Sequence, residues 1–249
     1  MLLAVDIGNT SVKFGTFEND ELTSKFVIPT VREYTSKELR EAVNGRLAGS
    51  FSYALISSVV PEVDKSFAEF IGGSFGIEPR FITTTDDFDL TFNFAVNEIG
   101  IDRLVNSFAA SQKYGAPCIV IAFGTATTID VVDRNREHLG GLIAPGPTAN
   151  AKALQIVASK LPEVEIAEPP NVINTTTVSA IQSGIFYSQI GLVEEAIPHI
   201  RSEISDDAKV VATGGFAHLI ADKCRSVDLI DTDLTLEGLR MLYSRLFAA

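Results

Sequence analysis

The chain has 249 residues, 46% of them hydrophobic and 21% charged, which supplies enough apolar material for packed cores and excludes an intrinsically disordered polypeptide. Thirty-two acidic against 20 basic side chains leave a formal charge of −12. That balance argues against a nucleic-acid partner, because displacing counterions from phosphates needs a basic face.

The longest apolar stretch, Ala116 to Phe123, is far shorter than the roughly 20 residues that cross a bilayer. No basic leader precedes the first apolar run, and Cys118 and Cys224 suit neither a disulfide framework nor a metal knuckle. The expectation is an acidic, cytoplasmic α/β protein with no membrane partner.

In chain order, Leu2 to Val5 reads as a short buried strand that runs into Asp6-Ile7-Gly8-Asn9-Thr10. Ser11 to Phe17 alternates as a second strand, Asn19-Asp20 supplies a turn, and a third strand is expected over Leu22 to Ile28. Thr35 with Glu38 is a capping-box signature ahead of Leu39, Ala42, Val43 and Leu47 at helical spacing. Ser52 to Val60 reads as a buried strand, Val63 to Phe75 as a helix, and Arg80 to Thr83 as a short strand. An alternating segment follows from Phe88 to Phe94, and Gly100-Ile101-Asp102-Arg103 opens a helix that runs to about Tyr114.

At Ala116 the pattern restarts. Cys118 to Phe123 is a buried strand leading into Gly124-Thr125-Ala126-Thr127-Thr128, with a second strand at Ile129 to Val132 and a turn at Asp133 to Arg136. Asp6-Ile7-Gly8 overlays Ala122-Phe123-Gly124, so the chain reads as a weak internal duplication of two similar α/β units. The linker Gly115-Ala116-Pro117 predicts domains 1–115 and 116–249. The remainder reads as mostly helical: Thr148 to Leu161, Thr176 to Ile204 and Leu234 to Leu246, with a strand at Val210 to Ala212 that ends in Thr213-Gly214-Gly215. The longest of these helices carries Val178, Ile181, Ile185, Leu192 and Ala196 as an apolar stripe.

Three segments can carry chemistry. Asp6-Ile7-Gly8-Asn9-Thr10-Ser11-Val12-Lys13 ends a strand in a carboxylate and a tight turn, which presents backbone N–H groups to a polyphosphate with a lysine close by. Its carboxylate can hold Mg²⁺ through water, although an ordinary hairpin explains the same residues. Gly124 to Thr128 occupies the matching place in the second unit, and its threonines also fit a plain strand. Gly100 to Arg103 places an aspartate in a first helical turn, where it is either a capping carboxylate or a base beside an anion-binding arginine. The scattered His138, His199 and His218 have no metal-ligand spacing.

Together these segments resemble the type III pantothenate kinases, within the acetate and sugar kinase, heat-shock ATPase and actin superfamily. The resemblance rests on the three segments above, and also on Gly140-Gly141-Leu142-Ile143-Ala144-Pro145-Gly146, Thr213-Gly214-Gly215 and Asp233-Leu234-Thr235-Leu236-Glu237-Gly238-Leu239. It implies an α/β fold of two ribonuclease-H-like domains with mixed central sheets and an ATP cleft between them. It also implies a homodimer with pantothenate near the interface. Carried over by position, Asp6, Ile7, Gly8, Asn9, Thr10, Ser11, Val12, Lys13 and Thr125 contact ATP, Asp6 holds Mg²⁺ through water, and Asp102 is the general base. Gly100, Ile101, Asp102, Arg103 and Thr177 contact pantothenate.

Two departures stand out. Where the family has an aspartate for a monovalent cation (K⁺ or NH₄⁺), this chain has Ala122, so that site is lost or rebuilt from other oxygens. Where the family often shows Tyr and then Pro before the substrate motif, this chain has Asn93 and Val96. The implied activity is ATP-dependent phosphorylation of pantothenate, the first step of coenzyme A synthesis. The alternatives are a kinase of the same fold for another small hydroxylated substrate, or a catalytically weak regulatory paralogue.

Overall fold

Leu2-Leu3-Ala4-Val5-Asp6-Ile7 forms a strand, β1 (Leu2–Ile7), that is buried along its whole length, because both faces of its sheet are covered. It pairs antiparallel with β2 (Ser11–Glu18) and parallel with β4 (Tyr53–Ser58). β3 (Glu21–Pro29) and β5 (Arg80–Phe81) complete the five-stranded order β3-β2-β1-β4-β5. The β2–β3 turn uses Asn19 and Asp20 at φ 51° and 67°, left-handed values that Asn and Asp tolerate because their short side chains bond locally.

One face of this sheet packs Leu3, Val5, Ile7, Val12 and Phe14 against α1 (Ser36–Val43) and α2 (Pro61–Phe75), through Leu39, Val63, Phe67 and Ile71. Burying each large side chain contributes about 1.5–3 kcal/mol. The expected capping box is present: Thr35 Oγ1 accepts from Glu38 N–H at 3.3 Å, and Thr35 N–H donates to Glu38 Oε2 at 2.9 Å. The other face is covered by α7 (Leu234–Phe247). Leu236 reaches to Gly15, and the Tyr53 and Tyr243 rings meet at 4.9 Å.

β6 (Thr91–Phe92) and α3 (Ile101–Tyr114) precede the second sheet, whose order is β11-β10-β7-β8-β9-β6. Its central strand β7 (Cys118–Phe123) pairs antiparallel with β8 (Ala126–Val132) and parallel with β10 (Lys209–Thr213). β9 (Glu137–Pro145) and β11 (Leu229–Ile230) flank these. Apart from β6 this repeats the first sheet strand for strand, so the duplication seen in the sequence is a duplication of topology. α4 (Pro147–Val157), α5 (Thr177–Ile204) and the short α6 (Ala217–Ile220) complete the chain. α5 and α6 bury Ile119, Ile121 and Phe123 beneath Phe186, Val193, Ile197 and Ile220.

The computed structural model describes residues 1–158, 160–204 and 207–247. By their contacts they form two compact units. Unit 1 comprises Met1–Leu90, Phe94–Ala109 and the chain from Asp233 onward; unit 2 comprises Thr91–Asn93 and Ala110–Thr232. This differs from a single cut at 115/116, because the break falls within α3 and α7 packs on the first sheet.

Readings of single elements are corrected too, and one strand not expected from the sequence is present. Ala126 to Thr128 belong to β8, so the second turn is only Gly124-Thr125. Residues 137–145 form β9, although its glycines and terminal proline disfavour a strand, because pairing with β8 overrides propensity. α4 ends at Val157, ahead of the expected Leu161, and residue 159 of that expected helix lies outside the described residues. The buried stripe of α5 runs through Ile181, Ile185, Gln189, Val193 and Ile197 and leaves Val178 exposed. A spacing of four sustained over several turns moves it one position past Leu192 and Ala196.

Candidate active site

β1 delivers Asp6 to the end of the first sheet, in register with Lys13 of β2 and Ser57 of β4. Asp6 is buried and its carboxylate lies 3.6 Å from Lys13 Nζ. Burial is the larger influence and raises the Asp6 pKa above its ordinary value; Lys13 opposes this and favours the charged form. A carboxylate that protein groups solvate so poorly is suited to a cation brought by a ligand.

The turn that follows is braced by Thr30, the residue after β3. Thr30 Oγ1 donates to the Gly8 carbonyl at 2.6 Å, Thr30 N–H donates to the Thr10 carbonyl at 3.0 Å, and Gly8 N–H donates to the Ser11 carbonyl at 3.0 Å. With the Gly8 carbonyl tied to Thr30, the planar trans peptide aims the Asn9 N–H the opposite way. Asn9 and Thr10 are exposed, while Ile7 and Val12 are buried in the core below the turn. Of the eight residues from Asp6 to Lys13, the outer ones can meet a ligand and Ile7 and Val12 hold the turn in place.

Also in unit 1, the Gly100 carbonyl receives the N–H groups of Arg103 (3.0 Å) and Leu104 (3.2 Å), which starts α3. Asp102 sits in its first turn, where the helix N-terminus favours a carboxylate. Its Oδ1 accepts from Arg103 N–H at 2.9 Å, so it does part of a capping carboxylate's work. Ile101 is buried, whereas Asp102 and Arg103 are half-exposed. One turn on, the buried Asn106 accepts from Thr235 Oγ1 of α7 at 2.8 Å. The C-terminal helix thereby braces the helix that carries Asp102.

In unit 2 the turn is framed by glycines. A Cβ on Gly146 would lie 2.3 Å from the Gly124 carbonyl oxygen and 2.6 Å from that of Thr125. On Gly214, whose φ is +99°, it would lie 2.4 Å from the Phe123 carbonyl oxygen. Only glycine allows this approach, which gives two of the remaining sequence signatures a packing role. Gln189 is buried in the apolar stripe of α5. It accepts from Thr127 Oγ1 at 2.5 Å and donates through Nε2 to the Pro145 carbonyl at 3.1 Å, fastening β8 to the segment before Gly146.

Thr125 is exposed. Thr177 is exposed too, and its neighbour Thr176 caps α5 by accepting from Ser179 N–H at 3.1 Å. Asp6 and Lys13 are thus brought together and share unit 1 with Gly100 to Arg103, while Thr125 and Thr177 stand in unit 2.

Ser57 and Gln189 were missed from the sequence. Their signal was a polar residue at a buried position: the first of the two serines that end an apolar strand, and a glutamine inside an apolar stripe.

The residues around Asp6 fit a hydrated divalent cation: a buried carboxylate, and beside it the buried Ser57 Oγ with no hydrogen-bond partner among the described residues. Around Ala122 the fit to a monovalent cation is poorer. The strand neighbours in register are Thr128 and Thr213, so hydroxyls but no carboxylate occupy those positions. Among the described residues no group of three or more His, Cys, Asp or Glu could hold a metal ion, and no helix is long and apolar enough to cross a membrane.

Residues 2–199 match the family model described as type III pantothenate kinase. A protein of that name from Dehalococcoides mccartyi is 39% identical, with 97% of this chain and 95% of the relative covered. Among solved structures, one from Campylobacter jejuni, described under the Baf family of transcriptional activators, superposes with a TM-score of 0.62 at 20% identity over 99% of this chain and 100% of that one. The activator of 2-hydroxyisocaproyl-CoA dehydratase from Clostridium difficile, with bound ADPNP, gives a TM-score of 0.51 at 13% identity over 99% and 93%. At such identities these two likenesses concern the fold.

Proposed function

Since the chain belongs to the type III pantothenate kinase family, we propose that it transfers the γ-phosphoryl group of ATP to the primary hydroxyl of pantothenate, with unit 1 carrying the chemistry. The product is 4′-phosphopantothenate, which enters coenzyme A synthesis. The observation that carries the assignment of roles is the buried Asp6 carboxylate facing Lys13 at 3.6 Å beside a braced turn.

In this reading Asp6, Gly8, Asn9, Thr10, Ser11 and Lys13 bind the nucleotide, on a turn that the buried Ile7 and Val12 hold in place, and Thr125 is a further nucleotide contact. Asp6 holds Mg²⁺ through water, and the bound ion supplies neutralisation of the phosphate charge. Lys13 adds a second positive charge, and the turn amides orient the phosphates. Asp102 accepts the proton of the substrate hydroxyl as its oxygen bonds to phosphorus and the bond from phosphorus to the bridging oxygen of ADP breaks. Arg103 binds the pantothenate carboxylate; Gly100, Ile101 and Thr177 complete the acceptor set.

Unit 2 exposes Ile156 (81%), Val157 (78%), Val172 (64%) and Ile173 (88%). A set of apolar side chains this exposed supports a homodimer interface, with the pantothenate contact at Thr177 close to it in the sequence. Ile173→Asp is expected to yield monomers by light scattering, and an unchanged mass overturns this placement of the interface.

The test of the activity is an ATP-coupled phosphorylation assay against pantothenate and a panel of small alcohols. Turnover on pantothenate well above the panel is the expected result. Turnover greater on another alcohol reassigns the acceptor, and silence on all overturns the kinase reading.

A further inference from the structure

Two buried hydroxyls occupy equivalent places in the two units. Paired residues of in-register strands present their side chains on the same sheet face, so Ser57 of β4 stands beside Asp6 of β1, and Thr213 of β10 beside Ala122 of β7. Ser57 is fully buried and Thr213 is 1% exposed. Neither oxygen has a hydrogen-bond partner among the described residues.

Both strands are otherwise apolar over these stretches: Ala54-Leu55-Ile56 precedes Ser57, and Val210-Val211-Ala212 precedes Thr213. A buried hydroxyl without a partner opposes folding, and alanine would occupy the place of Ser57 without that penalty. The folded chain alone therefore gives no reason for the hydroxyl. What it stands beside does. Its in-register neighbour is the one carboxylate of β1, itself buried.

We infer that Ser57 is a positioning residue of the phosphate site, its Oγ held for the water shell of the Mg²⁺ that Asp6 binds. The inference rests on the reading of Asp6 given above and extends it to a residue outside the sequence motif. Mg²⁺ gives up its waters reluctantly, and each bound water has protons to place. Asp6 takes some of them, and a serine oxygen, which can accept as well as donate, takes another. Ser57 touches neither the transferred phosphoryl group nor the acceptor. It acts through the metal's water.

The experiment compares wild type, Ser57→Ala and Ser57→Thr, using Mn²⁺ as the metal probe and ADPNP as the nucleotide. Mn²⁺ affinity in the presence of ADPNP is read by electron paramagnetic resonance, ADPNP affinity in EDTA by calorimetry, and the unliganded fold by thermal melting. Ser57→Ala is expected to melt at or above wild type, to bind metal-free ADPNP unchanged, and to bind Mn²⁺ about tenfold more weakly. Ser57→Thr carries the residue that unit 2 uses at the same place and is expected to keep Mn²⁺ affinity close to wild type.

A Ser57→Ala protein that binds Mn²⁺ as tightly as wild type overturns the inference. If the alanine variant does not fold, Ser57→Thr and Ser57→Val, which match in shape and differ in the hydroxyl, make the same comparison, and equal Mn²⁺ affinity overturns it. A wild-type chain that binds no Mn²⁺ with ADPNP overturns the reading of Asp6 instead, a failure seen before any variant is measured.

Discussion

The two units place the same strands in the same order, and their first hairpins differ in nearly everything else. At the end of β1 stand Asp6, Lys13 and Ser57 in register; at the end of β7 stand Ala122, Thr128 and Thr213. The first set has a charged group of each sign, a buried carboxylate and a half-buried lysine. The second has none, and instead has backbone packed so closely that Gly146 and Gly214 admit no side chain. A duplicated fold has kept its topology while its copies diverged in chemistry, one supplying charge and the other supplying shape. Fold and function therefore separate at the scale of single residues.

The largest expected effect falls on the charged unit. Asp102→Asn removes the proposed base and is expected to lower turnover by about 10²–10⁴-fold while calorimetry with ADPNP stays unchanged. Near-normal turnover would reduce Asp102 to a capping carboxylate.

Next is Asp6→Asn, expected to raise the Mg²⁺ requirement by about 10–100-fold, read from a Mg²⁺ titration of activity. This variant also has a stability signature. Burial raises the Asp6 pKa in the folded chain, so the fold favours the protonated acid, and ionisation subtracts stability as pH rises through and above the ordinary aspartate range. Asn cannot ionise. Its melting temperature relative to wild type is therefore expected to be more favourable at pH 7 than near pH 3, where both side chains are neutral. A difference that does not change with pH would show that Asp6 is not strained by burial.

The uncharged unit should respond to shape. Gly146→Ala forces a Cβ against two carbonyl oxygens and is expected to destabilise by about 1–3 kcal/mol, seen as a lowered melting temperature with weakened ADPNP binding. Gly191→Ala, on the same unit inside α5 with no atom within 4 Å of the new Cβ, is the control. It should raise the melting temperature slightly, by the roughly 0.5–1 kcal/mol that alanine gains over glycine in a helix interior, and leave ADPNP binding unchanged.

The smallest effect is expected where the second unit lacks charge. Replacing K⁺ by tetramethylammonium at constant ionic strength should alter turnover less than about tenfold, because Ala122 offers no side-chain oxygen. Ala122→Asp is expected to increase the response to K⁺. Collapse of wild-type activity without K⁺ would mean that hydroxyls or carbonyls hold the ion unaided.

Much of this contrast was visible before the fold was known. β1, β2 and β7 follow from apolar runs and alternation, and Asp6-Ile7-Gly8 from a carboxylate and a glycine at a strand end, all of them local patterns. Thr35 and Glu38 gave the start of α1 for the same reason. β9 was hidden because its existence depends on β8, a partner supplied by the tertiary fold. Ser57 was hidden because two serines at the end of an apolar run look like the run's polar boundary, and Gln189 because one polar residue in a stripe has no period to betray it. The place of α7 was hidden because the sequence contains no trace of which sheet a distant helix will cover. Asn106, one helical turn beyond Asp102, became noticeable only through its bond to Thr235.

That last helix also sets an order of events during synthesis. Unit 1 begins at the first residue, yet α7, residues 234–247, covers a face of its sheet. A nascent chain that has delivered β1 to β5 and all of unit 2 still lacks the helix that covers Leu2, Ala4 and Leu55. The first unit begun is therefore the last to be finished, and a ribosome that stalls or terminates before residue 234 releases a chain with an uncovered apolar sheet, a substrate for chaperones and proteases.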